Sequence, residues 1–224
     1  MLTRRVINLQ RQRDVINTSV SELLVLRCRY PLTISPSRTE QQFNRRAMST
    51  SASSDFPPSE VREILQQVTK LLKDRNETVS IAETAAGGLI SSSILSTPGA
   101  SGIYKGGLTL YTLPSRIAYA GWTQQTIENY RGPTTDIVSG LAKHVRKDLE
   151  STYTLAESGT AGPTGGQTPN RKPGYVALAV DCERGTFTKE LNTELGTDRV
   201  ANMLRFTVEA LTLLKDVIED RTKL

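Results

Sequence analysis

After residue 58, segments with apolar residues at helical spacing alternate along the chain with segments typical of extended strands. Residues 59–74 repeat apolar side chains at helical spacing, and Glu60 and Glu63 lie in the first turn, where the helix dipole favours acids. Short runs rich in β-branched residues favour strands. The predicted helices are 59–74, 89–95, 114–120, 124–130, the helix capped by Thr135, and about 197–220; the predicted strands are 78–82, 107–111, 153–157, 175–180 and 186–191.

The order of these elements predicts the fold class. Strands alternate with helices, except for one late hairpin connected by Asp181–Gly185. Such an order predicts an α/β fold with three layers, α/β/α, around a mostly parallel mixed sheet of about five strands that includes one antiparallel strand. We place the domain at residues 57–224, after Pro57 and Pro58.

The first 56 residues are expected to be a disordered leader. Residues 1–47 hold nine arginines, no lysine and three acids, which is typical of a mitochondrial transit peptide. The alternative is that translation starts at Met48, followed by an ordinary disordered amino terminus. The first interpretation predicts a mitochondrial protein and the second a cytoplasmic one.

Charge and composition exclude several function classes. The chain has a net charge of +5, of which residues 1–47 carry +6, so the rest of the chain is at −1 and offers no basic surface for nucleic acid. The longest aliphatic run in the leader, Leu23–Leu26, is too short to span a bilayer. His144 is the single histidine and only Cys28 and Cys182 are cysteines, so neither a zinc site nor another metal site is predicted. No cofactor is indicated.

Three loops follow predicted strands and carry the candidate chemistry. They are Glu83–Gly88, Tyr111–Arg116 and Ser158–Gly166. Ligands gather at the carboxyl ends of parallel strands, so we expect the loops to converge there. The backbone N–H groups of Glu83–Gly88, at a helix start, suit an oxyanion or a phosphate. The alternatives are a tight glycine turn for the first loop and a flexible surface loop for the third.

Seven motifs in register resemble the carboxy-terminal domain of the competence/damage-inducible CinA proteins. The turn Ala82–Gly88 resembles the family's A-E-S-x-T-G-G, and Ser158–Gly166 resembles T-G-I-A-G-P-x-G-G. The other five are Pro98–Ser101 for P-G-S-S, Gly107–Tyr111 for G-x-x-x-Y, Gly132–Thr135 for G-A-V-S, Lys172–Gly174 for K-P-V-G and Asp198-Arg199 for G-D-R. The resemblance covers about residues 59–220.

The resemblance implies hydrolysis of the carboxamide of nicotinamide mononucleotide (NMN), giving nicotinate mononucleotide and ammonia. In that family a serine attacks the amide, and a lysine and a tyrosine move the proton. Carried over by position, the serine falls on Thr84, the tyrosine on Tyr111 and the lysine on Arg116. A threonine hydroxyl is still a nucleophile, whereas a guanidinium stays protonated and cannot act as a base. The family's threonine in the turn is Ala86 here.

The resemblance therefore leaves two hypotheses open, an amidohydrolase with a degenerate catalytic set and a catalytically silent nucleotide-binding sensor or interaction module. A purely structural role in a homo-oligomer is a third. The expected catalytic set is Thr84, Tyr111 and Arg116. The expected partner is an NMN-like nucleotide, without nucleic acid or membrane, and the long apolar last helix leaves room for a homodimer. The expected binding residues are Glu83, Gly87, Gly88, Gly159, Thr160, Ala161, Gly162, Gly165 and Gly166.

Overall fold

The computed structural model describes residues 55–222, in which six α-helices and two short 3-10 helices surround one sheet. The leader predicted at residues 1–56 lies almost entirely outside the described residues, as do Met48 and Cys28. The α-helices are α1 (Ser59–Arg75), α2 (Leu89–Leu95), α3 (Leu113–Tyr119), α4 (Gln124–Glu128), α5 (Thr135–Leu149) and α6 (Arg199–Ile218). The strands are β1 (Val79–Glu83), β2 (Tyr104–Thr109), β3 (Tyr153–Gly159), β4 (Tyr175–Cys182) and β5 (Gly185–Asn192).

The sheet confirms the predicted mixed topology. Its strand order is β2-β1-β3-β4-β5. β1 pairs in parallel with both β2 and β3, while β4 is antiparallel to β3 and to β5, so β4 alone runs against the other four. The register places Glu83 opposite Thr109, and Ala82 opposite Ala156. The carboxyl ends of the three parallel strands therefore lie at one edge of the sheet.

Two apolar layers cover the sheet, which confirms the α/β/α architecture. Side chains of a strand alternate between faces. Leu155 and Leu178 join one core cluster with α1, α2 and α6, whereas their neighbours Ala156 and Ala179 join the other cluster with α5. The small alanines let α5 lie close to the sheet, and the larger residues fill the opposite layer.

Some element boundaries differ from the sequence predictions. β2 runs from Tyr104 to Thr109 rather than over 107–111, because Tyr104 pairs with Val79 and the strand ends where its pairing with β1 ends. The α5 cap is Thr134, whose hydroxyl accepts from the N–H of Ile137, so the predicted Thr135 cap was one residue late. Within residues 55–222, no helix is long and apolar enough to cross a membrane.

Candidate functional site

The first and third loops meet through a buried carboxylate that the sequence analysis did not single out. Glu157 lies near the end of β3, with none of its surface exposed. Its Oε2 accepts hydrogen bonds from the backbone N–H groups of Thr84 at 3.0 Å and Ala86 at 2.9 Å. The turn that was expected to hold a ligand's oxyanion thus already holds an internal carboxylate at these two donors.

The carboxylate of Glu83 accepts hydrogen bonds from groups at the start of α2. Its carboxylate, also fully buried, accepts from the N–H groups of Gly88, Ile90 and Ser91 at 3.0–3.1 Å and from the Ser91 hydroxyl. Glu83 was expected to contact a ligand. These bonds instead favour a role in capping α2. Within the turn, the N–H groups of Thr84, Ala86 and Gly88 are therefore bound by Glu157 and Glu83 rather than open to a phosphate.

Burial raises the pKa of Glu157 to about 7. Loss of solvent is the largest cause, the N–H groups of Ala86 and Thr84 oppose it, and the nearby Glu83 adds to it. The second oxygen, Oε1, is buried with no hydrogen-bond partner among residues 55–222. Glu157 therefore changes charge near neutral pH directly beside the turn.

Thr84 lies at the junction of the two loops and is only 4% exposed. Its hydroxyl donates to Oγ of Ser158 at 3.2 Å. The first and third loops therefore do converge, as the topology of a parallel sheet predicts. Leu110, directly before the second loop, donates its N–H to the carbonyl of Glu83 at 2.8 Å.

Gly87 and Gly88 give the turn its shape. Both have positive φ angles, +68° and +100°, which side chains rarely adopt. A Cβ on Gly87 would lie 3.1 Å from the terminal methyl of Met203 on α6. Their conformations let the backbone turn sharply from β1 into α2 while its N–H groups point at Glu83 and Glu157.

A cleft opens beside this junction, between the third loop and the segment that precedes α5. Its volume is about 410 Å³. From the third loop it is lined by Gly159, Thr160, Thr164 and Gly165, and from elsewhere by Tyr130, Gly132, Pro133 and Arg171. Three of the predicted binding residues thus border a cavity of ligand size. In the described chain, residues 83–88 are not part of this lining.

The other predicted residues of the third loop fasten it to the rest of the domain. The carbonyl of Ala161 accepts from the Asn202 amide at 2.9 Å, and that of Gly162 accepts from Arg199 at 2.7 Å. The N–H of Gly166 donates to the carbonyl of Arg171 at 2.7 Å. These contacts hold the loop against α6 on one side and close the cleft on the other.

Tyr111 and Arg116 lie in very different surroundings. Tyr111 is 67% exposed, just beyond the end of β2. Arg116 on α3 is 4% exposed, and its guanidinium carbon lies 4.8 Å from the ring centroid of Trp122 and 5.2 Å from that of Tyr130. Thr84 makes its recorded side-chain hydrogen bond with Ser158 rather than with Tyr111 or Arg116.

Sequence reasoning missed four residues of this region, namely Glu157, Trp122, Tyr130 and Arg171. A usable signal existed for two of them. Glu157 is a charged residue inside an otherwise uncharged predicted strand, which is unusual unless the carboxyl has partners. Trp122 is the single tryptophan of the chain and follows Arg116 by six residues.

We expect Gly159→Ala to lower the free energy of unfolding by about 1–3 kcal/mol, the usual cost of overpacking. A Cβ at this position would lie 2.7 Å from the carbonyl oxygen of Tyr175 and 2.9 Å from the ring of Phe206. The oxygen cannot move away without disturbing the pairing of β3 with β4. Urea denaturation measures the change. The control is Gly140→Ala on α5, where nothing lies within 4 Å; an equal loss in both variants would contradict the steric explanation.

A family profile and curated relatives match the chain. The profile of the CinA C-terminal domain matches residues 61–218. A "CinA-like protein" of Fervidobacterium nodosum is 35% identical over 155 residues, which are 69% of this chain and 37% of the relative. A "CinA-like protein" of Flavobacterium psychrophilum is 29% identical over 169 residues, 75% of this chain and 39% of the relative. The chain thus spans less than two-fifths of the length of these relatives.

Solved structures share the fold at low sequence identity. The competence/damage inducible protein CihA from Agrobacterium tumefaciens superposes with a TM-score of 0.66 at 22% identity, covering 72% of this chain and 97% of that one. The competence or damage-inducible protein from Enterobacter asburiae gives a TM-score of 0.64 at 22% identity, covering 70% and 98%. At such identities the likeness concerns the three-layer fold alone.

Proposed function

The chain belongs to the CinA C-terminal domain family, and from that premise we propose that it binds a pyridine mononucleotide in the cleft beside the third loop without hydrolysing its amide efficiently. The binding residues would be those of the third loop that border the cleft, Gly159, Thr160 and Gly165. Glycines allow the backbone to approach a ligand closely, and a cleft of about 410 Å³ is within the range of small-molecule sites.

The observation that carries the proposal is the state of the residues at the expected catalytic positions. The expected base is Arg116, which holds its proton at any physiological pH and lies between two aromatic rings. The expected nucleophile, Thr84, is buried, and its hydroxyl is bound to Ser158. Tyr111 is exposed just beyond the end of β2. A cleft retained beside a weakened proton-transfer set supports binding over turnover.

We expect the full chain to bind NMN saturably in a calorimetric titration while releasing no more ammonia than a protein-free control. Binding requires the cleft, whereas release of ammonia requires a group that takes the proton of Thr84. Ammonia release that exceeds the control and disappears in Thr84→Ala would refute the silent-binder proposal. Absence of NMN binding would refute the nucleotide part of it.

The double variant Thr84→Ser, Arg116→Lys tests the same proposal in reverse. It restores an unhindered hydroxyl and a titratable amine, and burial between Trp122 and Tyr130 would lower the pKa of that amine. If the frame of the site is intact, ammonia release from NMN should rise above that of the unaltered chain. Each single variant serves as a control, because Thr84→Ser alone still lacks the amine and Arg116→Lys alone still lacks the unhindered hydroxyl.

A second candidate function is amide hydrolysis with Thr84 as nucleophile and Glu157 as the proton acceptor. Two properties of Glu157 favour this function. Its pKa of about 7 suits proton exchange near neutral pH. It is also the sequence neighbour of Ser158, to which the Thr84 hydroxyl donates. Under this mechanism, ammonia release would increase as the pH rises through 7. It would be lost in Thr84→Ala and in Glu157→Gln alike.

A further inference from the structure

The guanidinium of Arg116 is buried without the partners that a buried cation needs. Its Nε and Nη1 atoms have no hydrogen-bond partner among residues 55–222, and the ion pairs found in that part of the chain do not involve Arg116. Burying an unpaired charge is strongly unfavourable. A side chain placed at that cost, and 4% exposed, indicates a missing anionic partner.

The two aromatic rings explain part of this burial but leave the N–H donors unused. Trp122 and Tyr130 approach each other to 5.6 Å between ring centroids, at an interplanar angle of 57°, and both lie within 5.2 Å of the guanidinium carbon. A desolvated cation–π contact offsets part of the cost of burying the charge. The ring faces attract the positive charge, yet they offer no strong hydrogen-bond acceptor to the N–H groups of the guanidinium. Those donors suit the oxygens of a carboxylate or a phosphate.

The local chain path holds this arrangement in place. The carbonyl of Arg116 accepts from the N–H groups of Ala120 at 2.9 Å and of Trp122 at 3.2 Å. The chain therefore folds back after α3 and brings Trp122 over Arg116. Trp122 is buried in the cluster that also contains Leu141 of α5. The contact between Arg116 and Trp122 is therefore held in place by the fold.

Tyr130 links this arginine to the cleft. Its ring contacts the guanidinium and also lines the cleft opposite Gly159 and Thr160. Tyr130 is only partly buried. Arg116 is not itself part of the cleft lining, so a ligand in the cleft would reach its donors once the Tyr130 ring turns aside.

We propose that Arg116, framed by Trp122 and Tyr130, is a receptor for an oxyanion of the ligand, a carboxylate on a flat ring or a phosphate. The proposal rests on ligand binding in the cleft and adds to it the chemical group that is selected. If the oxyanion is the ring carboxylate, Arg116 discriminates the acid from the corresponding amide, which lacks that charge. The position that the family resemblance assigned to a base serves here to recognise charge.

Trp122 provides a direct readout, since it is the single tryptophan and lies 4.8 Å from the guanidinium carbon. Tryptophan fluorescence of the full chain is followed while nicotinate, nicotinamide, nicotinate mononucleotide, NMN, nicotinamide riboside or inorganic phosphate is added. We expect the oxyanion probes to change the fluorescence saturably and the uncharged nicotinamide to leave it unchanged. A response to nicotinate identifies the carboxylate as the selected group. A response to phosphate and NMN, but not to nicotinate or the riboside, identifies the phosphate.

Variants separate Arg116 from general charge effects. Arg116→Gln removes the cation and should lower the affinity for the probe that gives a response at least tenfold. Arg131→Gln removes the same charge from an exposed residue next to Tyr130 and should leave the affinity unchanged. Arg116→Lys keeps the charge without the planar fork and should give intermediate affinity. Equal affinity in Arg116→Gln and the unaltered chain would overturn the proposal.

The outcome does not depend on the folding of a variant, because the acid and amide probes are compared on the unaltered chain. If no oxyanion changes Trp122 fluorescence, the receptor proposal is refuted. NMN binding seen by calorimetry without any Trp122 response would leave the proposed function standing and refute the role of Arg116. A Trp122 response to nicotinate or phosphate without NMN binding would support the role of Arg116 and refute the proposed binding of NMN.

Discussion

Glu83→Ala is expected to lower the free energy of unfolding by about 4 kcal/mol, since several buried donors lose their acceptor at about 1–3 kcal/mol each. The carboxylate accepts four hydrogen bonds, from the N–H groups of Gly88, Ile90 and Ser91 and from the Ser91 hydroxyl. These groups form the start of α2, a helix of seven residues that is too short to persist by its own propensity. Urea denaturation followed by circular dichroism measures the loss.

Two further variants show whether the acceptor is what matters. Glu83→Gln keeps one carbonyl oxygen but turns an NH₂ group towards the remaining donors, so we expect about half the loss of the alanine variant. Glu183→Ala removes an exposed carboxylate from the β4–β5 connection and should change stability by less than about 0.5 kcal/mol. A loss below 1 kcal/mol in Glu83→Ala would mean that water replaces the carboxylate, and the capping role would then be wrong.

The second large effect is a dependence of stability on pH that arises from Glu157. Its pKa rises from 4.5 in a free carboxyl to about 7 in the fold, chiefly because burial disfavours the charged form, with Glu83 as the nearby like charge. Between those two values the folded chain holds a proton that the unfolded chain has released. Stability therefore falls as the pH rises from about 4.5 to 7. At about 1.4 kcal/mol per pKa unit, the fall amounts to about 3 kcal/mol.

The measurement is the free energy of unfolding at a series of pH values from 5 to 8. Because other groups titrate too, the informative quantity is the difference between the unaltered chain and Glu157→Gln. The glutamine variant should lose the downward slope between pH 5 and 7, whereas the exposed control Glu183→Gln should keep it. The same slope in all three proteins would show that Glu157 is not the cause.

These two carboxylates change the interpretation of the glycine turn. A glycine turn between a strand and a helix is a common place for a ligand's anion. Here Glu83 and Glu157 supply the anionic oxygens from within the chain. The turn thus supports Thr84, and the cleft bordered by Tyr130 and Gly159, where we propose that the ligand binds, lies beside it.

The sequence by itself determined the elements, the fold class and the family. Periodicity predicted five strands and the helices between them, since apolar spacing reports directly on which side chains face a neighbouring layer. The one antiparallel strand followed from the late hairpin. The carboxyl-edge loops were predictable as well, because the ends of parallel strands lie together whatever their order. The boundaries of β2 were wrong, since strand ends depend on the partner strand and not on local preference.

Only the tertiary structure decided what those loops contain. Glu157 reaches Thr84 because β3 lies beside β1, although the two residues are 73 positions apart in the chain. Arg116 became a buried cation between rings because the chain folds back after α3 and seats Trp122 in the core with α5. Local patterns encode backbone hydrogen bonding and which face is buried, whereas the partner of each polar side chain is fixed by strand order and packing. That is why sequence reasoning located the candidate region but not the residues that fill it.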